Sequence, residues 1–388
     1  MNKTTKNIFI VGSKGIPGRY GGFETFVDKL TEYHVDIKEL RYHVACKGKR
    51  KNDDFIYNNA RCFTIKVPNI GPAQAIYYDV MALKKCCSYI EENQIEAPII
   101  YILTCRIGPF MNYFCKKIKK LGGVIFLNPD GHEWLRAKWS WPVRRYWKLS
   151  ERVMVKHSDM VICDSKEIER YVLETYRKYS PVTSYISYGA ETSKSTLRED
   201  GEEIQKWYKK NGVALNSYYL VVGRLVPENN YETIISEYMK SKSQRDLVLI
   251  TDTSCNYFDK LKKKTNYDKD ERIKFAGTMY DQKLLKKIRE NAYGYIHGHE
   301  VGGTNPSLLE ALASTKINLL LDVGFNREVG AGSALYWSKE ENNLSNVIQL
   351  VDRMGEEHIL NLGKRAKKRI EDVYNWQYIA DKYKEVLA

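Results

Sequence analysis

Four separated stretches of this 388-residue sequence carry residue types suited to proton transfer and anion binding. In NPDGHEW (128–134), Asp130, His132 and Glu133 follow an apolar run. A carboxylate or imidazole within hydrogen-bond reach of a hydroxyl can take its proton, so Asp130 is the first candidate base, Glu133 the second and His132 the third. The competing reading is that Asp130 only holds the turn and His132 is a bystander. In GSKGIPGRYGGFET (12–25), five glycines and a proline lead into a helical pattern with Phe26, Val27 and Leu30. Gly21 and Gly22 would let the backbone approach a ligand, and a helix start offers free N–H groups and a positive dipole to an anion. The spacing is neither GxGxxG nor a Walker loop, and a merely tight turn is the alternative.

In the second half, VVGRLVPENN (221–230) ends an apolar run in glycine and places Arg224 directly after it. A guanidinium fork at a strand end suits a diphosphate, with ion pairing to a carboxylate as the alternative. Further on, in YIHGHEVGGTNPSLLEAL (295–312), Gly302, Gly303, Thr304 and Asn305 stand before Pro306 and a helical pattern of Leu308, Leu309 and Leu312. Such a turn directs amides at phosphate, and Glu310, one turn inside, is placed to accept hydrogen bonds from a ribose.

The elements that must position these residues alternate between short apolar runs and longer helical patterns. Residues 7–12, 98–103, 123–128 and 159–164 read as buried parallel strands, because they are near-continuous apolar runs. Helical patterns follow at 107–121 and 165–179. After a polar stretch, ETSKSTLREDGEE, the best linker candidate, the alternation restarts with strands at 218–223, 246–251, 272–277, 293–298 and 316–322. Two successive doubly wound α/β sheets are expected, with a ligand crevice between the domains at the carboxyl ends of strands.

The composition, 43% hydrophobic and 28% charged, is that of a folded chain. The eight cysteines show no CxxC pair or metal-ligand spacing with histidine and read as buried thiols. The lone Asp-x-Asp, Asp268 to Asp270, sits in a Lys-rich polar stretch, so no metal is implied. No signal peptide or run of bilayer-spanning length is seen, which places the protein in the cytoplasm or at a membrane face. The net charge of +14 is lopsided: residues 1–190 hold 31 Lys+Arg against 19 Asp+Glu, and the rest 31 against 29. Such a half points to a polyanionic partner. Nucleic acid is disfavoured, since no zinc-finger, homeodomain or RNP pattern occurs. WLRAKWSWPVRRYWKL (134–149) holds four of the seven Trp, five Lys/Arg and no acid. It reads as a contact with an anionic membrane surface through Trp139, Trp141, Arg144, Arg145 and Lys148, a loop with the two Trp leading past Pro142 into a helix. The alternative is that these Trp fill the core.

The ordered set of a glycine-rich first loop, a GR at a second-half strand end, a glycine-rich turn with Glu in the next helix, and a terminal YNWQYIADKYKEVL resembles glycosyltransferase family 4. Within it, GSKGIPGRYGGFETFV, NPDGHEWLRAKWS, VPENN and VGGTNPSLLEAL resemble the bacterial β-1,4-rhamnosyltransferases of cell-wall and capsular polysaccharide assembly. The resemblance spans nearly the whole chain. It implies a GT-B fold: an acceptor-binding Rossmann-like domain over 1–190, a nucleotide-sugar-binding one over 191–375, and a last helix, 376–388, crossing back to the first. It implies metal-independent transfer, with retention and without an obligatory covalent intermediate. The donor would be dTDP-β-L-rhamnose and the acceptor a lipid-linked pyrophosphate sugar, GlcNAc or glucose. Donor contacts would come from Gly21, Gly22, Arg224, Asn229, the Gly302 to Asn305 turn and Glu310. Two departures stand out: Asn229 and Asn230 occupy the region where many members carry Lys, and Gly302 the place where many carry Glu, with Glu300 near but out of register. Another nucleotide-sugar donor, or a nucleotide-sugar epimerase of the same architecture, is the alternative.

Overall fold

The computed structural model describes residues 5–18, 21–48 and 53–388. They divide into two compact units, one made of the chain up to Leu135, Trp139–Tyr188 and Trp376–Ala388, the other of Arg136–Lys138 and Gly189–Asn375.

Apolar runs become the strands of the first unit: β1 (Lys6–Val11), β2 (Leu40–Gly48), β3 (Phe55–Tyr57), β4 (Ala60–Lys66), β5 (Ile99–Leu103), β6 (Val124–Asn128), β7 (Met160–Cys163) and β8 (Thr183–Tyr185). Among the described residues they form one sheet in the order β3-β4-β2-β1-β5-β6-β7-β8. All neighbours are parallel except β3, which pairs antiparallel with β4. Crossover helices are α1 (Gly22–Tyr33), α2 (Gln74–Glu92), α3 (Gly108–Lys120), α4 (Trp141–His157) and α5 (Lys166–Thr175). The order reverses at β1, between β2 and β5, and at such a switch point the loops leaving two neighbouring strands diverge and open a ligand site. Strands β2 and β4 do not show as continuous apolar runs, because Arg41, His43, Lys47, Arg61 and Lys66 interrupt them, and β3 is only three residues long.

The second unit repeats the plan with β9 (Tyr218–Val222), β10 (Asp246–Ile250), β11 (Ile273–Phe275), β12 (Gly294–His297), β13 (Asn318–Leu321) and β14 (Leu335–Trp337), in the order β11-β10-β9-β12-β13-β14. Its helices are α6 (Glu202–Asn211), α7 (Tyr231–Lys240), α8 (Asn256–Thr265), α9 (Gln282–Glu290), α10 (Pro306–Ser314), α11 (Gly324–Gly330), α12 (Asn343–Asp352) and α13 (Glu356–Val373). Here the switch lies between β9 and β12. Tyr219, Ile234, Leu247 and Leu319 lie in the core on one side of the sheet, and Ile204, Leu220, Val248 and Ile288 in that on the other. The polar stretch from Glu191 is held against this unit: the Ser195 amide donates to Glu290 at 2.6 Å and its hydroxyl to the Lys283 carbonyl at 3.1 Å. Seven of the eight cysteines are buried thiols, while Cys255 is exposed. No helix of the described residues is long and apolar enough to cross a membrane.

The last helix, α14 (Trp376–Leu387), packs against α1 in the first unit. Its buried residues Trp376, Ile379, Ala380, Tyr383 and Leu387 recur at the spacing of one helical face. The Tyr383 ring lies 5.0 Å from that of Phe26, and its hydroxyl is 3.0 Å from that of Tyr101. His34 Nε2 meets the Ala380 carbonyl at 2.9 Å. Tyr383→Ala should therefore destabilise the first unit by roughly 3–5 kcal/mol, the usual loss for a buried aromatic truncated to alanine. Denaturant unfolding measures it, and a loss below about 1 kcal/mol would show that α14 is not part of this core.

Candidate functional site

In the second unit the candidate residues gather at the carboxyl ends of β9 and β12, on either side of the switch. Gly223 and Arg224 follow β9 directly, and the Gly223 carbonyl accepts from Tyr231 Oη at 2.9 Å. Asn229 is turned inward, its amide donating to the Arg224 carbonyl at 2.8 Å, so it shapes the arginine loop from behind. Asn230 links that loop to the one after β12, donating to the Gly298 carbonyl at 2.8 Å and to Glu300 at 3.1 Å. Glu300 also pairs with Lys339.

The second loop runs through Gly302 and Gly303 into α10. Gly302 has φ +140°, a conformation that side chains rarely adopt, and no heavy atom lies within 4 Å of where its Cβ would stand. Thr304 is buried. Asn305 caps α10 through its side chain, accepting from the Ser307 amide at 2.9 Å. Glu310, one turn inside, is paired with Arg289 at 2.6 Å. The arginine side chain is 4% exposed and the glutamate 34%, so a buried cation fixes a carboxylate that still reaches solvent. Arg289 also donates to Ser307 Oγ at 3.3 Å. Sequence reasoning missed it because one arginine in the charged QKLLKKIRE helix looks like its solvated neighbours.

In the first unit, Asp130, His132 and Glu133 lie just past β6. Asp130 at φ +60° and His132 at φ +43° are both left-handed, an uncommon conformation outside glycine that tends to mark functional turns. Asp130 Oδ1 accepts from the Gly131 amide, and the Asp130 amide donates to Asn128 Oδ1, each at 2.9 Å. Burial lowers the His132 pKa, and its ring stands edge-on 4.3 Å from that of Tyr171. Glu133 accepts from Trp139 Nε1 at 2.9 Å. Arg106, which sequence reasoning also passed over, follows β5 and lies within electrostatic reach of Asp130 and Glu133. It donates to the Gly12 carbonyl at 2.9 Å and to the buried Asp79 at 3.2 Å. Being the first charged residue after the apolar run of β5, it carried a signal of the same kind as Arg224.

The glycine-rich loop is closed onto its own helix. Gly21, at φ +127°, caps α1, and Glu24 fills the space where a Cβ on Gly21 would stand. Glu24 accepts from the Lys14 amide at 2.7 Å and Asp28 from the Gly18 amide at 2.6 Å. Two carboxylates of the chain thus occupy amides of the loop, while Gly22 opens α1. Arg19 and Tyr20 of the same stretch lie outside the described residues.

The Trp-rich stretch divides by direction. The helix begins at Trp141 with Pro142 in its first turn, so Trp141 heads α4 instead of sitting in the preceding loop. Trp139 packs 5.9 Å from Trp147, and Arg144 donates to the Trp139 carbonyl at 3.1 Å. Lys148 is drawn onto the buried Glu151 at 3.5 Å and onto Tyr171. Trp141 is 65% exposed, with the Arg145 guanidinium 4.2 Å from its ring centre. Among the described residues no three His, Cys, Asp or Glu side chains gather to hold a metal ion. Asp268 pairs with Lys262 and Asp270 with Arg272.

Two parallel α/β sheets of Rossmann type in one chain make this a GT-B fold. Residues 5–191 match the family model described as "Domain of unknown function (DUF1972)". Sucrose-phosphate synthase from Thermosynechococcus elongatus superposes with a TM-score of 0.76 at 15% identity, over 98% of each chain. A glycosyltransferase from Rickettsia africae does so at 0.73 and 14%, over 99% of this chain and 98% of the other. Anabaena HepE, solved with UDP and glucose, gives 0.71 and 15% over 99% of both. At these identities the likeness is one of fold. No curated protein matches the sequence.

Burial raises the Asp79 pKa from its ordinary 3.8 to about 6, with Arg106 opposing the rise. The folded chain then holds this proton more tightly than the unfolded one, so its contribution to stability falls as pH climbs from about 4 to about 6 and stays low above. Asp79→Asn has no such proton to lose. Urea midpoints measured from pH 4 to 7 should shift in favour of the variant, relative to the wild type, across that window. Parallel profiles would mean that folding leaves the Asp79 proton affinity unchanged.

Proposed function

We propose that the protein is a retaining glycosyltransferase that moves L-rhamnose from dTDP-β-L-rhamnose to a lipid-pyrophosphate-linked GlcNAc or glucose in polysaccharide synthesis. The observation that carries this reading is the arrangement around the β9/β12 switch. Arg224 ends one strand, the Gly302 to Asn305 turn follows the other, and Glu310 is held in place by a buried arginine. Arg224 and the turn hold the diphosphate, and Glu310 takes the 3′ hydroxyl of the donor's deoxyribose. As the glycosidic bond breaks, negative charge grows on the leaving diphosphate, and a fixed guanidinium with aligned amides stabilises it. A GT-B structure holding UDP and glucose supports the nucleotide-sugar class, and the four-motif resemblance supports rhamnose. Asp130, on its left-handed turn, removes the acceptor proton, while Glu133 is engaged by Trp139. Gly21 and Gly22 shape the loop before α1 and, with Glu24 already there, assist the donor only indirectly.

A panel of nucleotide-sugars, each incubated with and without synthetic lipid-pyrophosphate GlcNAc or glucose and read by mass, tests this. Transfer of a deoxyhexose from dTDP-rhamnose alone is expected; isomerisation of a donor without acceptor would replace the reading with an epimerase. Arg224→Ala and Glu310→Ala should each weaken donor use tenfold or more, since each removes a charged contact worth ~1.5–3 kcal/mol. Asp130→Asn should slow turnover with nucleotide binding intact.

A peripheral position on an anionic membrane completes the proposal, since the acceptor is lipid-linked. The adjacent helices α3 and α4 support it: Phe110, Tyr113, Trp141 and Leu149 are exposed, as are Lys116, Lys120, Arg145 and Arg152. α3 has no acid, and the sole acid of α4, Glu151, is buried against Tyr171 and Tyr176. Trp139, Arg144 and Lys148, being turned inward, leave Trp141 and Arg145 as the outward part of the Trp-rich stretch. Each basic side chain near such a surface adds roughly 1 kcal/mol. Arg145→Glu/Arg152→Glu should lose sedimentation with anionic vesicles that the wild type shows at low salt. Co-sedimentation equal to wild type would move the contact off this face.

A further inference from the structure

A pair of histidines at the end of β12 has no part in the scheme above. The rings of His297 and His299, alternate residues on the same side of the chain, stack at 4.3 Å with planes 9° apart. Both are uncharged. Burial takes His299 down to about 3, with Arg224 and Arg136 adding to the effect, and takes His297 well below the ordinary range. Each ring keeps a buried nitrogen, Nδ1 of His299 and Nε2 of His297, without a hydrogen-bond partner among the described residues. Native structures seldom leave such atoms unsatisfied.

The surroundings say what His299 can meet. Its Cε1 and Nε2 lie 3.0 and 3.4 Å from where a Cβ on Gly223 would stand, so the ring rests against the backbone that leads into Arg224. Asn326 donates to its carbonyl at 3.1 Å and fixes the loop from below. The carboxylates of Glu300 and Glu310 are occupied, Glu300 by Lys339 and Asn230, and Glu310 by Arg289. Gly302 offers no side chain. His299 is a polar side chain next to Arg224 that keeps an uncommitted ring nitrogen. An uncharged imidazole both donates and accepts, which matches a hydroxyl, whereas a phosphate calls for cations.

Resting on the donor site proposed above, we infer that His299 hydrogen-bonds a hydroxyl of the hexose being transferred, and so discriminates between donor sugars while leaving the diphosphate to Arg224. Calorimetric titration of the full chain with dTDP and with dTDP-L-rhamnose tests this, using wild type, His299→Asn and His299→Phe, each first checked for an unchanged melting temperature. dTDP affinity should stay within about twofold in both variants. The affinity gained by adding the sugar, and kcat/KM for the donor, should fall tenfold or more in His299→Phe and less in His299→Asn, which keeps a hydrogen-bonding group. An equal loss for dTDP and dTDP-L-rhamnose, or no loss for either, overturns the inference. If the wild type uses UDP-glucose and ignores dTDP-L-rhamnose, the donor assignment alone falls, and UDP against UDP-glucose then reads His299 by the same two outcomes. Should His299→Phe not fold, His299→Asn decides by itself: selective loss for the sugar nucleotide supports the role, and uniform or absent loss ends it.

Discussion

Parallel strands linked by helical crossovers all run in one direction, so each sheet delivers its carboxyl ends to a single edge. In both units the strand order reverses partway across, between β1 and β5 and again between β9 and β12. Loops leaving the two strands at a reversal turn to opposite faces and cannot fill the space between them. The residues able to do chemistry concentrate there: Gly12, Gly21, Gly22 and Arg106 beside one reversal, Arg224 and the 298–305 loop beside the other, with Asp130 one strand away. Without the parallel register these side chains, more than 70 residues apart in the sequence between Arg224 and Thr304, would have no reason to meet.

Electrostatics then sorts what the topology has assembled. Carboxylates near the strand ends are matched to cations or amides: Glu310 to Arg289, Glu300 to Lys339, Asp79 to Arg106, Glu24 to the first loop. Such pairing holds geometry more than it adds net stability, because a buried ion pair regains little beyond the cost of desolvating its charges. What it supplies here is a fixed position for groups that a flexible chain would scatter. The histidines go the other way, both kept uncharged by burial and His299 also by the arginines beside it, and so add polarity without charge at the same edge.

Much of this was legible in the linear order of residues. Continuous apolar runs at β1, β5, β6, β7, β9, β10, β12 and β13 announce buried parallel strands, since a strand covered on both faces cannot afford alternation. The GR after β9, the turn before α10 and the NPDGHEW turn were readable because glycine, proline and a lone charge after an apolar run are local signals. The sheet edge at β2 to β4 was not readable, since its charged residues break the run, and neither was β14, three residues long.

What the sequence by itself determined is a plan of two doubly wound sheets and the positions of their strand-end loops, because both follow from short-range periodicity and turn chemistry, while the GT-B plan was implied by the family resemblance. Only the tertiary structure decided direction and pairing. Trp139, Arg144 and Lys148 share a stretch with Trp141 and Arg145, yet the first three turn inward to Glu133, a backbone carbonyl and Glu151. Asn229 spends its amide on the Arg224 backbone, and Arg289 reaches across from α9 to hold Glu310. A side chain's direction and its partner depend on which elements pack beside it, and residues distant in sequence settle that, through burial and the need to satisfy every buried charge.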